Sequence, residues 1–337
     1  MIKKVLFYLP VTLLHFLATA QINETTDSLT TNSLQVKREM RYDVGNGKTL
    51  VYNKPQKFGF ILNLPRDAAA IVKTTGKKES VKPLLWIAGT TGLLILADRA
   101  ITDGVKQFSE NIHLYPDEKN KNLLNFKLGD KDVSLFRIPT NVNTAFYQLG
   151  QGFPSLMIGA GLYTYGKIKN DYRALSTASQ LAEAFILMGV GTQIVKRVTG
   201  RENPSETTTG SGKWHFFPSF SEYQNHTPRY DAFPSGHLAT LMSSITIFSE
   251  NYPEKKWIKP LGYSLTGLVA YSMINNQVHW ASDYPLALGM GYLCAKQVSK
   301  RSRRVENSAT TGKKKGTLTY TFNYVNRTFI PGLVYTF

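Results

Sequence analysis

The stretch FPSGHLATLMSSITIFSE, residues 233–250, decides the fold. Pro234 stops the preceding chain, Ser235 is a good N-cap, and apolar residues recur from Leu238 onward. The result is a helix of about 15 residues, short of the ~20 that cross hydrocarbon. The unpaired N–H groups of Gly236 and His237 point out of its start. Such an end binds phosphate readily, and a glycine lets the anion approach the backbone closely. An ordinary cap beside a surface histidine is the competing reading.

Working outward, apolar helical runs recur near 84–97, 145–166, 175–198, 257–276 and 282–298. The first, LLWIAGTTGLLILA, has Pro83 where a helix starts and Asp98-Arg99 to close it. With 236–250 this makes six helices and predicts an all-α, six-helix bundle. Gln180, Glu183 and Gln193 interrupt the 175–198 run and are expected on inward faces. Residues 100–142 are polar and read as surface helices and loops.

The ends differ. Residues 1–20 pair Lys3 and Lys4 with an apolar stretch and an Ala18-Thr19-Ala20 cleavage site, a secretory signal peptide. Residues 21–82, broken at Gly45-Asn46-Gly47 and Pro65, read as a polar lead-in with little core. The helical domain is then 83–298, and 299–337 is a basic linker and C-terminal β-hairpin. From Lys296 to Lys315 there are eight Lys/Arg and one acid, Glu306. TLTYTFNYVNRTFIPGLVYTF, 317–337, has strand composition, with a turn expected at Asn323 to Asn326.

Composition narrows the chemistry. Of 337 residues, 42% are hydrophobic and 19% charged, which excludes wholesale disorder. Mean hydropathy of −0.21 excludes a chain that is membrane-embedded throughout. The single cysteine, Cys294, excludes an internal disulfide framework and a Cys-rich zinc site. A net charge of +17 suits a polyanionic partner. Export makes nucleic acid a poor one and leaves a lipid phosphate, a small phosphate ester or an anionic membrane surface.

Two further clusters flank the Pro-Ser-Gly-His segment. Lys196, Arg197 and Arg201 gather at the end of the 175–198 helix, where Gly200 can turn the chain away. Their charges also complement the helix dipole, the plainer explanation of their presence. His279 and Asp283 stand four apart, so on a helix the carboxylate reaches one imidazole nitrogen and aims the other. A surface His–Asp pair is the plainer reading there. A metal site is disfavoured, because no third ligand of matching type is near in sequence. Together, a cationic helix end, a phosphate-binding helix start and an oriented histidine suit phosphoryl transfer through a phosphohistidine.

In order and spacing the three clusters resemble the signature of the type 2 phosphatidic acid phosphatase (PAP2) and vanadium haloperoxidase superfamily. Lys196 and Pro204 match its first motif, Pro234 to His237 its second in full, and Ser272, His279 and Asp283 its third. The resemblance implies that His279 attacks phosphorus, Asp283 orients it and His237 protonates the leaving oxygen. It implies that Lys196, Ser235 and the Gly236 N–H hold phosphate oxygens, without a metal or other cofactor. The implied activity is a phosphoric ester hydrolase of the cell envelope with a periplasmic site, either membrane-embedded or peripheral.

Two positions depart from the pattern. The arginines of the first and third motifs fall at Asn203 and Met273, and each normally holds phosphate oxygens. Arg197, Arg201 and Arg229 are near in sequence, and Arg201, just past the helix end, is the expected substitute. If none substitutes, the chain is a weakened relative that binds phosphate without turning it over. A vanadate-dependent haloperoxidase on the same oxyanion site is a further alternative.

Overall fold

The computed structural model describes residues 39–116, 120–128, 131–208, 210–307, 317–325 and 328–336. The expected signal peptide lies outside them. Six long helices form the body: α3 (Lys78–Asn111), α5 (Gly152–Lys169), α6 (Tyr172–Thr199), α8 (Gly236–Asn251), α9 (Ile258–Asn275) and α10 (Tyr284–Ser302). Shorter helices are α1 (Gly59–Leu62), α2 (Leu64–Thr75), α4 (Val142–Leu149) and α7 (Phe220–Asn225). The all-α bundle is therefore present, with more helices than the sequence indicates.

Local chemistry sets the helix ends. Asp171 caps α6 by accepting the Ala174 N–H at 2.9 Å. At the other end Gly200 takes the left-handed conformation, φ 50° and ψ 49°. A Cβ there would lie 2.0 Å from the His215 carbonyl oxygen, so only glycine permits this turn. Ser235 caps α8 by accepting the Leu238 N–H.

The core fills the space between α6, α8, α9 and α10, with Met188, Leu238, Ile245, Val269, Met273 and Cys294 buried against one another. Helices α8 and α10 approach backbone to backbone, since a Cβ on Gly291 would sit 2.2 Å from the Ala239 carbonyl oxygen. Gln180 and Glu183 are buried, as inward-facing polar residues should be. Glu183 and Asp67 share Arg301, at 2.5 and 2.6 Å. Gln193 is instead exposed, on the wall of an open cleft.

Several expectations are corrected. The 84–97 run belongs to a 34-residue helix. Pro83 sits inside it, early enough to remove only one backbone bond, and Asp98 does not end it because a tertiary partner neutralises its charge. The 145–166 run is two helices broken at Gly150-Gln151. Pro154 lacks the N–H that a continuous helix would need to bond Gly150, and the turn packs on His237, whose Cβ would be 2.9 Å from a Gly150 Cβ. The 100–142 region contains an antiparallel strand pair, β3 (Asn120–Leu128) with β4 (Lys131–Pro139).

The polar lead-in also contains structure. Strands β1 (Glu39–Asp43) and β2 (Lys48–Asn53) form a hairpin around Gly45-Asn46-Gly47, all three at positive φ. β5 (Arg304–Asn307) extends the sheet along the far edge of β2, so part of the basic linker is strand. Leu50 and Tyr52 pack with Tyr172 and Leu175, and the Tyr52 hydroxyl donates to Asn251 at 2.7 Å. Three buried residues in a six-residue strand are too few to stand out in a lysine-bearing segment. The C-terminal hairpin is present as β6 (Thr317–Val325) and β7 (Thr328–Thr336). Its register sets Val325 opposite Thr328, so β6 runs through Asn323-Tyr324, where the sequence suggested a turn.

Candidate active site

The three clusters meet at one end of the bundle. Lys196 lies in the last turn of α6, Ser235 to His237 open α8, and His279 follows α9 in the loop that enters α10 through the short 3₁₀ turn Ala281–Asp283. The rings of His237 and His279 are 6.3 Å apart.

His279 is buried, and its Nδ1 lies 2.6 Å from the Ala232 carbonyl oxygen. A carbonyl only accepts, so Nδ1 carries the proton and Nε2 keeps the lone pair. Asp283 Oδ2 stands 3.4 Å from the same Nδ1, a second and longer contact. Burial, with Lys196 nearby adding to the effect, pushes the imidazole down to about 3, so it is neutral near pH 7. Burial pushes the Asp283 carboxyl up to about 7, opposed by Arg201 and the Trp280 N–H.

Arg201 is fully buried and all five of its N–H donors are used. Nε and one terminal nitrogen donate to the Ser211 carbonyl at 3.2 and 2.7 Å. The same terminal nitrogen pairs with Asp98 at 2.7 Å. The other donates to Ser282 at 2.6 Å and Asp283 at 2.5 Å. Trp214 and Trp280 lie against its guanidinium at 4.8 and 5.6 Å. The phosphate-fork role expected for Arg201 is therefore corrected, since the group has no donor left for a ligand.

The other expected phosphate ligands are placed as follows. The Lys196 ammonium donates to the Asp231 carbonyl at 2.8 Å and pairs with the Asp231 carboxylate at 2.9 Å, which leaves one N–H for a ligand. Ser235 is buried, accepting from Leu238 and donating to the Met273 sulfur at 3.6 Å, so its hydroxyl serves the helix cap. Gly236 has open space where a side chain would be, and its N–H has no intrahelical acceptor. An open cleft of about 440 Å³ runs past Gly150, Met188, Lys196, Asp231, Gly236 and His237. Lys196 is the one cation among its described lining residues.

The two departures are both buried. Met273 packs in the core, and Asn203 leaves its side-chain oxygen without a hydrogen-bond partner. Arg197 stacks on Tyr223 at 3.6 Å, and Arg229 is half-exposed 3.8 Å from Glu202. Neither lines the cleft. Among the described residues no three His, Cys, Asp or Glu side chains gather as a metal site requires. Sequence reasoning missed Asp231, whose only signal was its place three residues before Pro234, and Asp98, visible only as an acid ending an apolar run.

Residues 177–305, which hold the three motifs, match the model of the PAP2 superfamily. A relative is the lipid A 1-phosphatase of Porphyromonas gingivalis, 26% identical over 204 residues, which span 57% of this chain and 42% of the relative. The chain thus matches less than half the length of that curated relative. Among solved structures, Aquifex aeolicus LpxE is similar at 21% identity and TM-score 0.36, over 47% of this chain and 83% of that one. A PAP2-type phosphatidylglycerolphosphate phosphatase from Bacillus subtilis is similar at 17% identity and TM-score 0.35, over 72% and 94%.

Proposed function

We propose that this chain is a metal-independent phosphatase that hydrolyses a lipid phosphate or diphosphate through a phosphohistidine on His279, at the periplasmic face of a membrane. The observation that carries the reading is the fixed tautomer of His279, with Nδ1–H held by Ala232 and the Nε2 lone pair left for phosphorus. Nε2 forms a bond to phosphorus as the bond to the leaving oxygen breaks, and His237 gives that oxygen a proton. Burial and His279 hold the free His237 imidazole down to about 3, so it takes up that proton from solvent as the anionic phosphate binds. Water then attacks phosphorus as the Nε2–phosphorus bond breaks and its electron pair returns to Nε2, the water passes a proton to His237, and inorganic phosphate is released. Asp283 stabilises the imidazolium character that His279 acquires. Lys196 and the N–H groups opening α8 hold the phosphoryl oxygens.

A lipid substrate is favoured by the protein's apolar exterior. Among the described residues, α3 and α6 are long and apolar enough to cross a membrane, and only 6% of the apolar window of α3 is buried. The phosphatase activity of the P. gingivalis relative points the same way. The periplasmic placement rests on the signal-like residues 1–20.

The test is release of inorganic phosphate from a panel of phosphatidate, lipid A phosphate and undecaprenyl diphosphate. His279→Ala should abolish turnover with the fold retained, and Asp283→Asn should slow it less completely. Substantial turnover by the His279→Ala protein rejects the phosphohistidine. A second reading, a phosphate-binding envelope protein without turnover, is favoured by Asn203, Met273 and the Lys196–Asp231 pair. It requires that the wild-type protein bind phosphate and release none from any of the three lipids.

A further inference from the structure

We propose that Asp98, on α3 and outside the matched family region, is a positioning residue that sets His279 through Arg201. The inference rests on the proposed phosphatase reading for its consequence and on geometry for its route. Asp98 is fully buried in a helix whose apolar window is only 6% buried. One of its carboxylate oxygens accepts the Ser282 N–H at 3.0 Å. The other accepts from the Ser282 hydroxyl at 2.5 Å and from Arg201 at 2.7 Å. The contacts of this carboxylate therefore go to Arg201, which donates to Asp283, and to Ser282, the residue just before Asp283 in the chain.

Arg201 serves both partners of His279 Nδ1. Its guanidinium donates to Asp283 at 2.5 Å. Its backbone carbonyl accepts the Ala232 N–H at 3.0 Å, and the Ala232 carbonyl is the nearer acceptor for His279. The side chain thus fixes one acceptor and the main chain fixes the other. A guanidinium between two carboxylates is held in its plane by both, so Asp98 prevents it from rotating off Asp283. The next residue on α3 secures the same wall: Arg99 donates to the Thr207 carbonyl at 2.8 Å and the Gly210 carbonyl at 3.1 Å, beside the Ser211 carbonyl that Arg201 uses. This long apolar helix therefore contributes to the site through two successive residues.

The route makes a specific demand. Asp98 touches no substrate, so its loss should change kcat and leave substrate affinity nearly intact. The experiment compares Asp98→Asn and Ser282→Ala with the wild type in detergent. It measures kcat and KM on the best lipid of the panel above. It also follows the His279 Nδ1–H resonance in protein labelled with ¹⁵N-histidine, identified by its absence in His279→Gln. Asp98→Asn should lower kcat at least tenfold with KM within twofold, and should shift or erase that resonance. Ser282→Ala, which keeps both charges, should do the same more weakly and decides the matter alone if Asp98→Asn does not fold. Unchanged kcat together with an unchanged resonance in the folded variants overturns the proposal. If the wild type releases no phosphate yet the resonance is lost in the variants, the phosphatase reading falls and the positioning role stands.

Discussion

At the scale of single residues, the cleft is under-supplied with positive charge. Its cation, Lys196, already serves Asp231 with two of its three donors. The Asp231 carboxylate also accepts a close hydrogen bond from the Tyr223 hydroxyl, so it is held in place against the lysine. A phosphate must compete with that carboxylate. Asp231→Asn should therefore lower KM for a phosphate ester three- to tenfold, because a neutral amide frees the ammonium charge, about 1 kcal/mol of binding at a partly exposed pair. A raised KM in that variant would show that the carboxylate helps the substrate instead. His279 supplies a pH signature. Its folded value, about 3, lies below the ordinary 6.5, so below pH 6.5 the unfolded chain takes up a proton that the folded site refuses. Stability from this group is present above pH 6.5 and is lost as pH falls toward 3. The thermal midpoint should drop between pH 7 and pH 4 more steeply for wild type than for His279→Gln. Parallel curves would contradict it. The residues legible in sequence were those whose roles depend on near neighbours: Gly200 as a left-handed cap, Ser235 as an N-cap, His279 and Asp283 four apart. Arg201 was misread because its partner Asp98 lies 103 residues away.

At the scale of elements, helices were found wherever an apolar run exceeded two turns, and their ends failed wherever tertiary contacts set them. Asp98 reads as a stop because an unpaired carboxylate does not continue an apolar helix, yet a buried guanidinium neutralises it and α3 continues for 13 more residues to Asn111. The split between α4 and α5 follows from Pro154 and from close packing of Gly150 on His237, the second of which has no signature in local sequence. The β1–β2 hairpin was missed because its few buried residues lie in a lysine-bearing segment, and β5 because it pairs with β2 across more than 250 residues, Lys48 opposite Asn307. The closest helix contact is the one most exposed to mutation. Gly291→Ala would place a Cβ 2.2 Å from the Ala239 carbonyl oxygen and must push α10 off α8. Overpacking of that kind costs about 1–3 kcal/mol. Gly161→Ala on α5 meets nothing within 4 Å and should be neutral or slightly stabilising, since alanine suits a helix better than glycine. Thermal unfolding of the two variants in one detergent checks the contrast, and equal midpoints would mean that the α8–α10 contact is looser than its geometry.

At the scale of the whole molecule, the sequence leaves open an embedded or a peripheral bundle, and the exposed apolar side chains support the proposed lipid substrate and make the choice testable. Leu85, Trp86, Leu93 and Leu96 on α3 are 66%, 69%, 71% and 85% exposed. Ile158 and Ile168 on α5 and Val190 and Ile194 on α6 add to the same apolar exterior. Burying each such side chain is worth about 1.5–3 kcal/mol, so a membrane that covers them all would contribute stabilisation comparable to that of an ordinary domain. Mean hydropathy stays low because long polar segments, such as 21–82 and the basic stretch 296–315, are averaged with the apolar helices. The tryptophans allow a direct test. Trp86 is 69% exposed on the apolar side of α3, whereas Trp280 is fully buried beside Arg201. In vesicles whose acyl chains carry bromine, tryptophan fluorescence should be strongly quenched. Trp86→Phe should remove much of the quenched component, while Trp280→Phe should remove unquenched emission. Embedding also predicts that the protein stays with the membrane pellet in alkaline carbonate. Quenching that does not depend on Trp86, together with release by carbonate, would place the bundle on the membrane surface, and the lipid would then have to reach His279 from outside the bilayer.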